Sequence, residues 1–214
     1  MEKLLIHNYY ITPLQCINLD NTSEHCLILG KTFILRYHNG HMEQTGIIMA
    51  LVCIQYPDGG IGLDNDLIWK GLKGDMSGFK KKTTGNVVVM GNGTFKSMNS
   101  NPLPDRINIV ITRNPDQLNN SDIVAVSSPI KALEIAQNNW PEKDICIMGG
   151  AQIYEDLFPY CEKLYVTEVH GDKPSDRQLH IPEYFTEVAR ERGPDETIEY
   201  YFVEYKNTQL QKIG

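Results

Sequence analysis

Asp75 is the position where side-chain type and spacing point most directly to chemistry. It opens a stretch, 75–83, that reads as a helix with Met76 and Phe79 on one apolar face beside it. An acid in a first turn is an ordinary partner for the helix dipole, so alone it decides nothing. Its setting adds more: Trp69 lies just upstream, after the glycine-rich Gly59-Gly60-Ile61-Gly62, at the end of an apolar run. Two other segments, Met90-Gly91-Asn92-Gly93-Thr94-Phe95 and Met148-Gly149-Gly150-Ala151-Gln152-Ile153-Tyr154, pass from an apolar strand through a glycine turn into a helix. Free N–H groups and a helix N-terminus at such a turn suit a phosphate. Neither segment carries the G-x-G-x-x-G fingerprint, and glycine also ends strands for steric reasons alone, so both readings stay open for each.

These residues need a scaffold that brings them together. Residues 47–54 are an unbroken apolar run, as expected of a strand buried on both faces. Segments 87–90, 107–111, 123–126, 145–148 and 164–169 repeat that pattern, with helices predicted over 75–83, 93–98, 129–138 and 151–159. The third helix starts Ser128-Pro129, an N-cap followed by an N1 proline. Alternating strands and helices predict an α/β fold with a mostly parallel central sheet flanked by helices. Segments 186–191 and 196–205 alternate polar with apolar around Gly193-Pro194 and predict a C-terminal antiparallel hairpin. In an open parallel sheet ligands bind outside the carboxyl ends of the strands, which is where both glycine turns fall.

The first 45 residues read differently. Short strands are predicted at 4–6, 26–29 and 32–35, with Gly30-Lys31 closing a hairpin, and the segment reads as an extension beside a domain at 46–206, with 207–214 as a tail. The net charge of −7 argues against a nucleic-acid binder, which needs basic surface to neutralise phosphates. Five cysteines, odd in number and without a C-x-x-C pair, read as reduced thiols of a cytoplasmic protein, and no metal site is predicted. No secretory signal can be drawn, and the longest apolar run falls well short of the ~20 residues that span a bilayer. A soluble protein without membrane partners is expected.

Read together, the motifs resemble a known family. Gly62-Leu63-Asp64-Asn65-Asp66-Leu67-Ile68-Trp69, with Asp75, Phe79-Lys80 and Thr83-Thr84, resembles the substrate loop and first helix of the dihydrofolate reductases. Val89-Met90-Gly91 with Thr94-Phe95 and Ser97, Pro102-Leu103-Pro104 with Arg106-Ile107-Asn108, and Met148-Gly149-Gly150 with Ile153-Tyr154 resemble further family motifs in the family's order. Leu164-Tyr165-Val166-Thr167 and Tyr201-Phe202 complete a likeness whose joint occurrence is specific where each piece is weak. Some features are similar to bacteriophage members.

The resemblance implies NADPH-dependent reduction of 7,8-dihydrofolate by a monomer or homodimer that antifolates would inhibit. It implies that Asp75 holds the pterin through N3 and the 2-amino group, with Thr167 behind it and Trp69 beside it. Ala50, Met76, Phe79, Met98, Leu103 and Met148 would line the substrate and nicotinamide pockets, with Tyr154 packing by the nicotinamide. Arg106 would grip the α-carboxylate of the glutamate tail, assisted by Lys80. For the cofactor, Thr112 and Arg113 would take the 2′-phosphate. Gly62, Gly91, Asn92, Gly93, Thr94, Gly149, Gly150, Ala151, Gln152 and Ile153 would line its path, with a cis peptide at Gly149-Gly150.

The chain departs from the family pattern in places. Ile68 stands where proline usually precedes the tryptophan, Asn92 where a basic residue often faces phosphates, and Gln152 where arginine is frequent. The segment Arg177-Gln178-Leu179-His180 lacks an aspartate seen in many bacterial members, which bears on loop closure. A pyrimidine reductase of riboflavin synthesis shares the fold, but would lack the Trp69–Asp75 arrangement and the Arg106 clamp.

Overall fold

The structure is a computed structural model. It describes residues 46–118 and 120–213 and, of the first 45, the backbone of six strands. The chain divides into two units, Met1–Gly46 and Ile47–Gly214. In the first, β1 (Leu4–Ile6) and β2 (Tyr9–Ile11) form a hairpin. Strands β3 (Cys16–Asp20), β4 (Ser23–Ile28), β5 (Lys31–His38) and β6 (His41–Gln44) form an antiparallel sheet in chain order. The β4–β5 pairing joins two of the strands expected there, while Leu29 and Gly30 lie outside the described residues.

The second unit is built on β7 (Ile48–Tyr56), β10 (Val87–Gly91), β11 (Ile107–Ile111), β12 (Ile123–Val126), β13 (Ile145–Ile147), β14 (Lys163–His170), β16 (Phe185–Arg192) and β17 (Tyr200–Asn207). They form one eight-stranded sheet in the order β12-β11-β10-β13-β7-β14-β17-β16. All pairings from β12 to β14 are parallel, and the β14–β17 and β17–β16 pairings are antiparallel. This is the mostly parallel sheet with a terminal hairpin that the sequence predicts. The hairpin's second strand begins later than expected, because the Asp195 side chain accepts from the Thr197 N–H (3.0 Å) and hydroxyl (2.8 Å) and holds that stretch in a turn.

Period-two alternation explains the unbroken apolar runs. Ile48, Ala50, Val52 and Ile54 of β7 join Val87, Val89, Ile109, Ile145 and Ile147 in one buried cluster. That cluster includes Ala132, Leu133 and Ala136 of α3 (Pro129–Asn139) and Ile153, Tyr154 and Leu157 of α4 (Ala151–Leu157). Met49, Leu51, Val88, Met90, Val110 and Cys146 belong to a second cluster. It contains Phe95 of α2 (Asn92–Ser97) and packs Phe79 of α1 (Asp75–Thr83). Both faces of the sheet are thus covered, and the apolar runs of its central strands pack on one face or the other.

Helix boundaries follow local chemistry. The Ser128 hydroxyl accepts from Lys131 N at 3.2 Å, capping α3 ahead of Pro129. The helix expected over 151–159 ends in a 3-10 turn, Phe158–Tyr160. Sequence periodicity misses a three-stranded sheet, β15-β8-β9, made of β8 (Gly60–Leu63), β9 (Asp66–Leu67) and β15 (Arg177–Gln178). Among the described residues no helix is long and apolar enough to cross a membrane.

Candidate active site

Asp75 is the first residue of α1, reached through Gly74 at φ 88°. The positive φ favours glycine at 74, and an added Cβ would come within 3.0 Å of the Phe202 ring. The Asp75 side chain is half-buried, and the Thr167 hydroxyl donates to its Oδ1 at 2.6 Å. Thr167 lies on β14 in register with Cys53 of β7. Burial, with the Asp75 charge adding to it, pushes the Cys53 thiol up to about 12, so the acid has a neutral neighbour.

Ala50 departs from expectation. It is wholly buried, on the strand face that packs against α3 and α4, and presents no surface to the cleft. The alternation places Cys53 on the Asp75 side instead, half-buried with Trp69, Ile198 and Phe202 around Leu72, Val169 and Tyr200. The resemblance places Ala50 in the cleft, and within an unbroken apolar run nothing in residue type marks which face a position takes.

Four expected wall residues do come together: Phe79, Met98, Leu103 and Met148 are half-buried and pack on the cluster of Met49, Leu51, Val88, Met90 and Phe95. Met76 is 65% exposed, at the rim. Leu103 is fixed by Asn108, whose amide accepts from Leu103 N and donates to Leu103 O, each at 2.9 Å. Arg106 is similarly held. Its Nε and Nη2 donate to the Thr83 hydroxyl (3.3 and 3.1 Å) and its Nη1 to Pro104 O (2.6 Å). Thr83 is buried and donates in turn to Phe79 O at 3.0 Å. Lys80 is exposed on the same helix. Neither Thr83 nor Asn108 stood out as a site residue, since a hydroxyl or amide inside a motif gives no sign of the long-range partner it holds.

Trp69 donates through Nε1 to Gln55 Oε1 at 3.0 Å. Segment 177–180 holds no aspartate, but Asp176 stands immediately before it. The Asp176 carboxylate accepts from Asp64 N at 3.3 Å, and its N–H donates to Gly62 O at 3.0 Å. The turn at Asp64-Asn65 is thereby tied to the segment that follows β14.

The two glycine turns are neighbours, because β10 and β13 pair in parallel and Gly91 N donates to Gly149 O at 2.7 Å. The Gly149–Gly150 peptide is cis, as the family resemblance implies. Gly149 has φ 101°, and a Cβ there would lie 2.8 Å from the Tyr154 ring, while Gly91 approaches Ile153 in the same way at 3.2 Å. Tyr154 is buried, its hydroxyl donating to Leu51 O at 2.6 Å. Neither α2 nor α4 has a side-chain cap, so N-terminal N–H groups about Asn92, Gly93, Thr94 and Ala151 are left for an anion. A Cβ at Gly93 would meet nothing within 4 Å, so that side of the turn is open.

A cavity of about 340 Å³ lined by Asp64, Asn65, Asp66, Gly93, Lys96 and Ser97 runs between the loop and α2. Thr112 is half-buried just past β11 and Arg113 is exposed beside it. Gln152 turns along its own helix to Asp156 at 3.0 Å. Glycine cradles, uncapped helix ends and a neighbouring cavity fit a dinucleotide with its phosphates.

Comparison with known proteins agrees with this geometry. The family model for dihydrofolate reductase matches residues 48–207. The dihydrofolate reductase of Bacillus subtilis is 39% identical over 161 residues, 72% of this chain and 91% of that protein. That of Staphylococcus haemolyticus is 34% identical over 151 residues, 68% and 87% of the two chains. Among solved structures, dihydrofolate reductase from Enterococcus faecalis complexed with NADP(H) and RAB-propyl superposes with a TM-score of 0.69 at 30% identity. That match covers 76% of this chain and 97% of the other. With the acid, the paired glycine turns and the sheet order on which they depend, the match across nearly all of the second unit shows that this chain belongs to the dihydrofolate reductase family.

Proposed function

We propose that Asp75, fixed by Thr167, is the acid around which this chain carries out the reaction of its family, the NADPH-dependent reduction of 7,8-dihydrofolate to 5,6,7,8-tetrahydrofolate. The observation that carries the reading is the 2.6 Å bond from the Thr167 hydroxyl to Asp75 Oδ1. Among the described residues no other hydrogen bond reaches that side chain, so its remaining lone pairs are available to a ligand. A carboxylate facing the N3 and 2-amino edge of a pterin makes two parallel charge-assisted bonds, which orient the ring as well as hold it.

Bound NADPH supplies the hydride that C6 of the pterin accepts, and the protein supplies geometry. Phe79, Met98, Leu103 and Met148 pack the ring and keep water from its faces, with Trp69 and Met76 closing the sides. Asp75 holds the edge so that a proton delivered through water reaches N5. Arg106 has five N–H groups, of which three are spent on Thr83 and Pro104. One hydrogen remains on each terminal nitrogen, a pair that a tail carboxylate bridges, with Lys80 adding charge nearby.

On the cofactor side, Gly62, Gly91, Asn92, Gly93, Thr94, Gly149, Gly150, Ala151, Gln152 and Ile153 form the path of the pyrophosphate and nicotinamide, beside Tyr154. Thr112 and Arg113 receive the 2′-phosphate, a dianion for which a guanidinium beside a hydroxyl is suited. The same reading makes this a soluble cytoplasmic enzyme of small molecules, acting as a monomer or homodimer and open to antifolates.

Dihydrofolate-dependent oxidation of NADPH by the purified chain tests the assignment, and a rate no higher than that of heat-inactivated protein would refute it. A diaminopterin antifolate added with NADPH should raise Tm by several degrees. An unchanged Tm would count against the cleft as the pterin site.

A further inference from the structure

We infer that Gln55 and Lys173 are positioning residues that together fix Trp69, and through it one wall of the substrate cleft. The inference rests on the reading above, which places Trp69 beside the substrate. Gln55, near the end of β7, is 2% exposed, and every hydrogen-bonding group of its amide is engaged. Its Oε1 accepts from Trp69 Nε1 at 3.0 Å and from Lys173 N at 2.9 Å. Its Nε2 donates to Lys173 O at 3.0 Å and to the Asp58 carboxylate at 3.1 Å. A buried amide with two acceptor and two donor positions filled tolerates one orientation, since rotation would strand several polar groups at once.

Lys173, whose backbone Gln55 holds on both sides, then places its ammonium 3.8 Å from the centroid of the Trp69 indole. The same Nζ donates to Ile68 O at 3.0 Å. One cation therefore covers the face of the indole and ties the carbonyl just before it. Ile68 leaves its φ free, where a proline ring would lock it, so an external tie at that carbonyl limits motion the backbone itself permits. A third contact comes from Gly171, where a Cβ would lie 2.2 Å from the indole edge and no side chain fits. Edge, face and N–H of Trp69 are each met by one segment, 171–173, or by the glutamine that anchors it. The indole also packs on the buried cluster of Leu72, Val169 and Tyr200, and Val169 shares its face of β14 with Thr167, the partner of Asp75. The brace therefore acts on substrate and not on the cofactor turns.

The test uses the full chain in a Trp140→Phe background, which leaves Trp69 as its only tryptophan. Lys173→Met should raise KM for dihydrofolate about fivefold, leave KM for NADPH unchanged and shift Trp69 emission to the red. Lys173→Arg, which keeps the cation over the ring, should restore both readings. Gln55→Met should raise KM about tenfold, since it strands buried donors as well. If Gln55→Met does not fold, the lysine variants decide alone, Lys173 being exposed. In a Trp69→Phe chain, Lys173→Met should add no more than about a twofold change. Parent-like KM and emission in Lys173→Met, or an undiminished effect in the Trp69→Phe chain, would overturn the inference. A parent that fails to reduce dihydrofolate would instead sink the functional reading, and the emission shift would still judge the brace.

Discussion

Thr167 and Thr83 do comparable work on the two ends of α1: one hydroxyl fixes the carboxylate at its first residue, the other fixes the guanidinium of Arg106 at its last. Neither hydroxyl needs to touch substrate to matter. Thr83→Val keeps the shape of a buried side chain and removes the acceptor for Arg106 Nε and Nη2. The arginine then has to be ordered by the ligand, so KM for dihydrofolate should rise about fivefold to tenfold with kcat little changed. Steady-state kinetics check this, and an unchanged KM would mean that Pro104 alone sets the guanidinium. At this scale Asp75, Trp69 and Arg106 were legible, because an acid, an indole and an arginine at family spacing are rare together. Gln55 and Lys173 were not, because a buried glutamine and an exposed lysine far apart in sequence look like ordinary residues until the fold joins them.

At the scale of elements, the site depends on adjacent strands ending together. The parallel β10–β13 pairing brings Gly91 and Gly149 into hydrogen-bond contact, and α2 and α4 then start side by side. Gly149→Ala tests how tightly this corner is built. The added Cβ would meet the Tyr154 ring at 2.8 Å from a backbone at φ 101°. Strain and overpacking together should cost about 2–4 kcal/mol and weaken NADPH binding, read by chemical denaturation and cofactor titration. A variant with parent stability would show that the corner relaxes freely. The long elements were legible from apolar runs and the Ser128-Pro129 cap. The β8-β9-β15 sheet was not, being short, rich in glycine and polar residues, and paired over a long separation. The phase of β7 was equally hidden, and Ala50, placed in the cleft by resemblance, lies on the opposite face from Cys53.

Taken as a whole, the sheet has two chemically different edges. Its carboxyl edge carries the site, while at the amino-terminal edge Glu162 stands before β14 and Asp144 before β13. Burial, and then the Asp144 charge, push the Glu162 carboxyl up to about 7, against a smaller opposing effect of the Ile48 backbone bond. The folded state holds that proton more tightly than the unfolded chain. Its contribution to stability is therefore present below the ordinary glutamate value and lost as pH rises through about 7. Glu162→Gln removes the titration. Relative to the parent it should gain on the order of 1–2 kcal/mol between about pH 5 and pH 8, after allowance for partial solvent screening. Denaturation midpoints at the two pH values check this, and a pH-independent difference would contradict it.

The proposed site centres on one carboxylate, that of Asp75, held by the Thr167 hydroxyl. The most direct test is turnover of dihydrofolate and NADPH by Asp75→Asn at neutral pH, since asparagine keeps the shape and the Thr167 contact but not the charge. Turnover should fall about 10²- to 10⁴-fold while the affinity for NADPH stays that of the parent. A variant as fast as the parent would contradict the account.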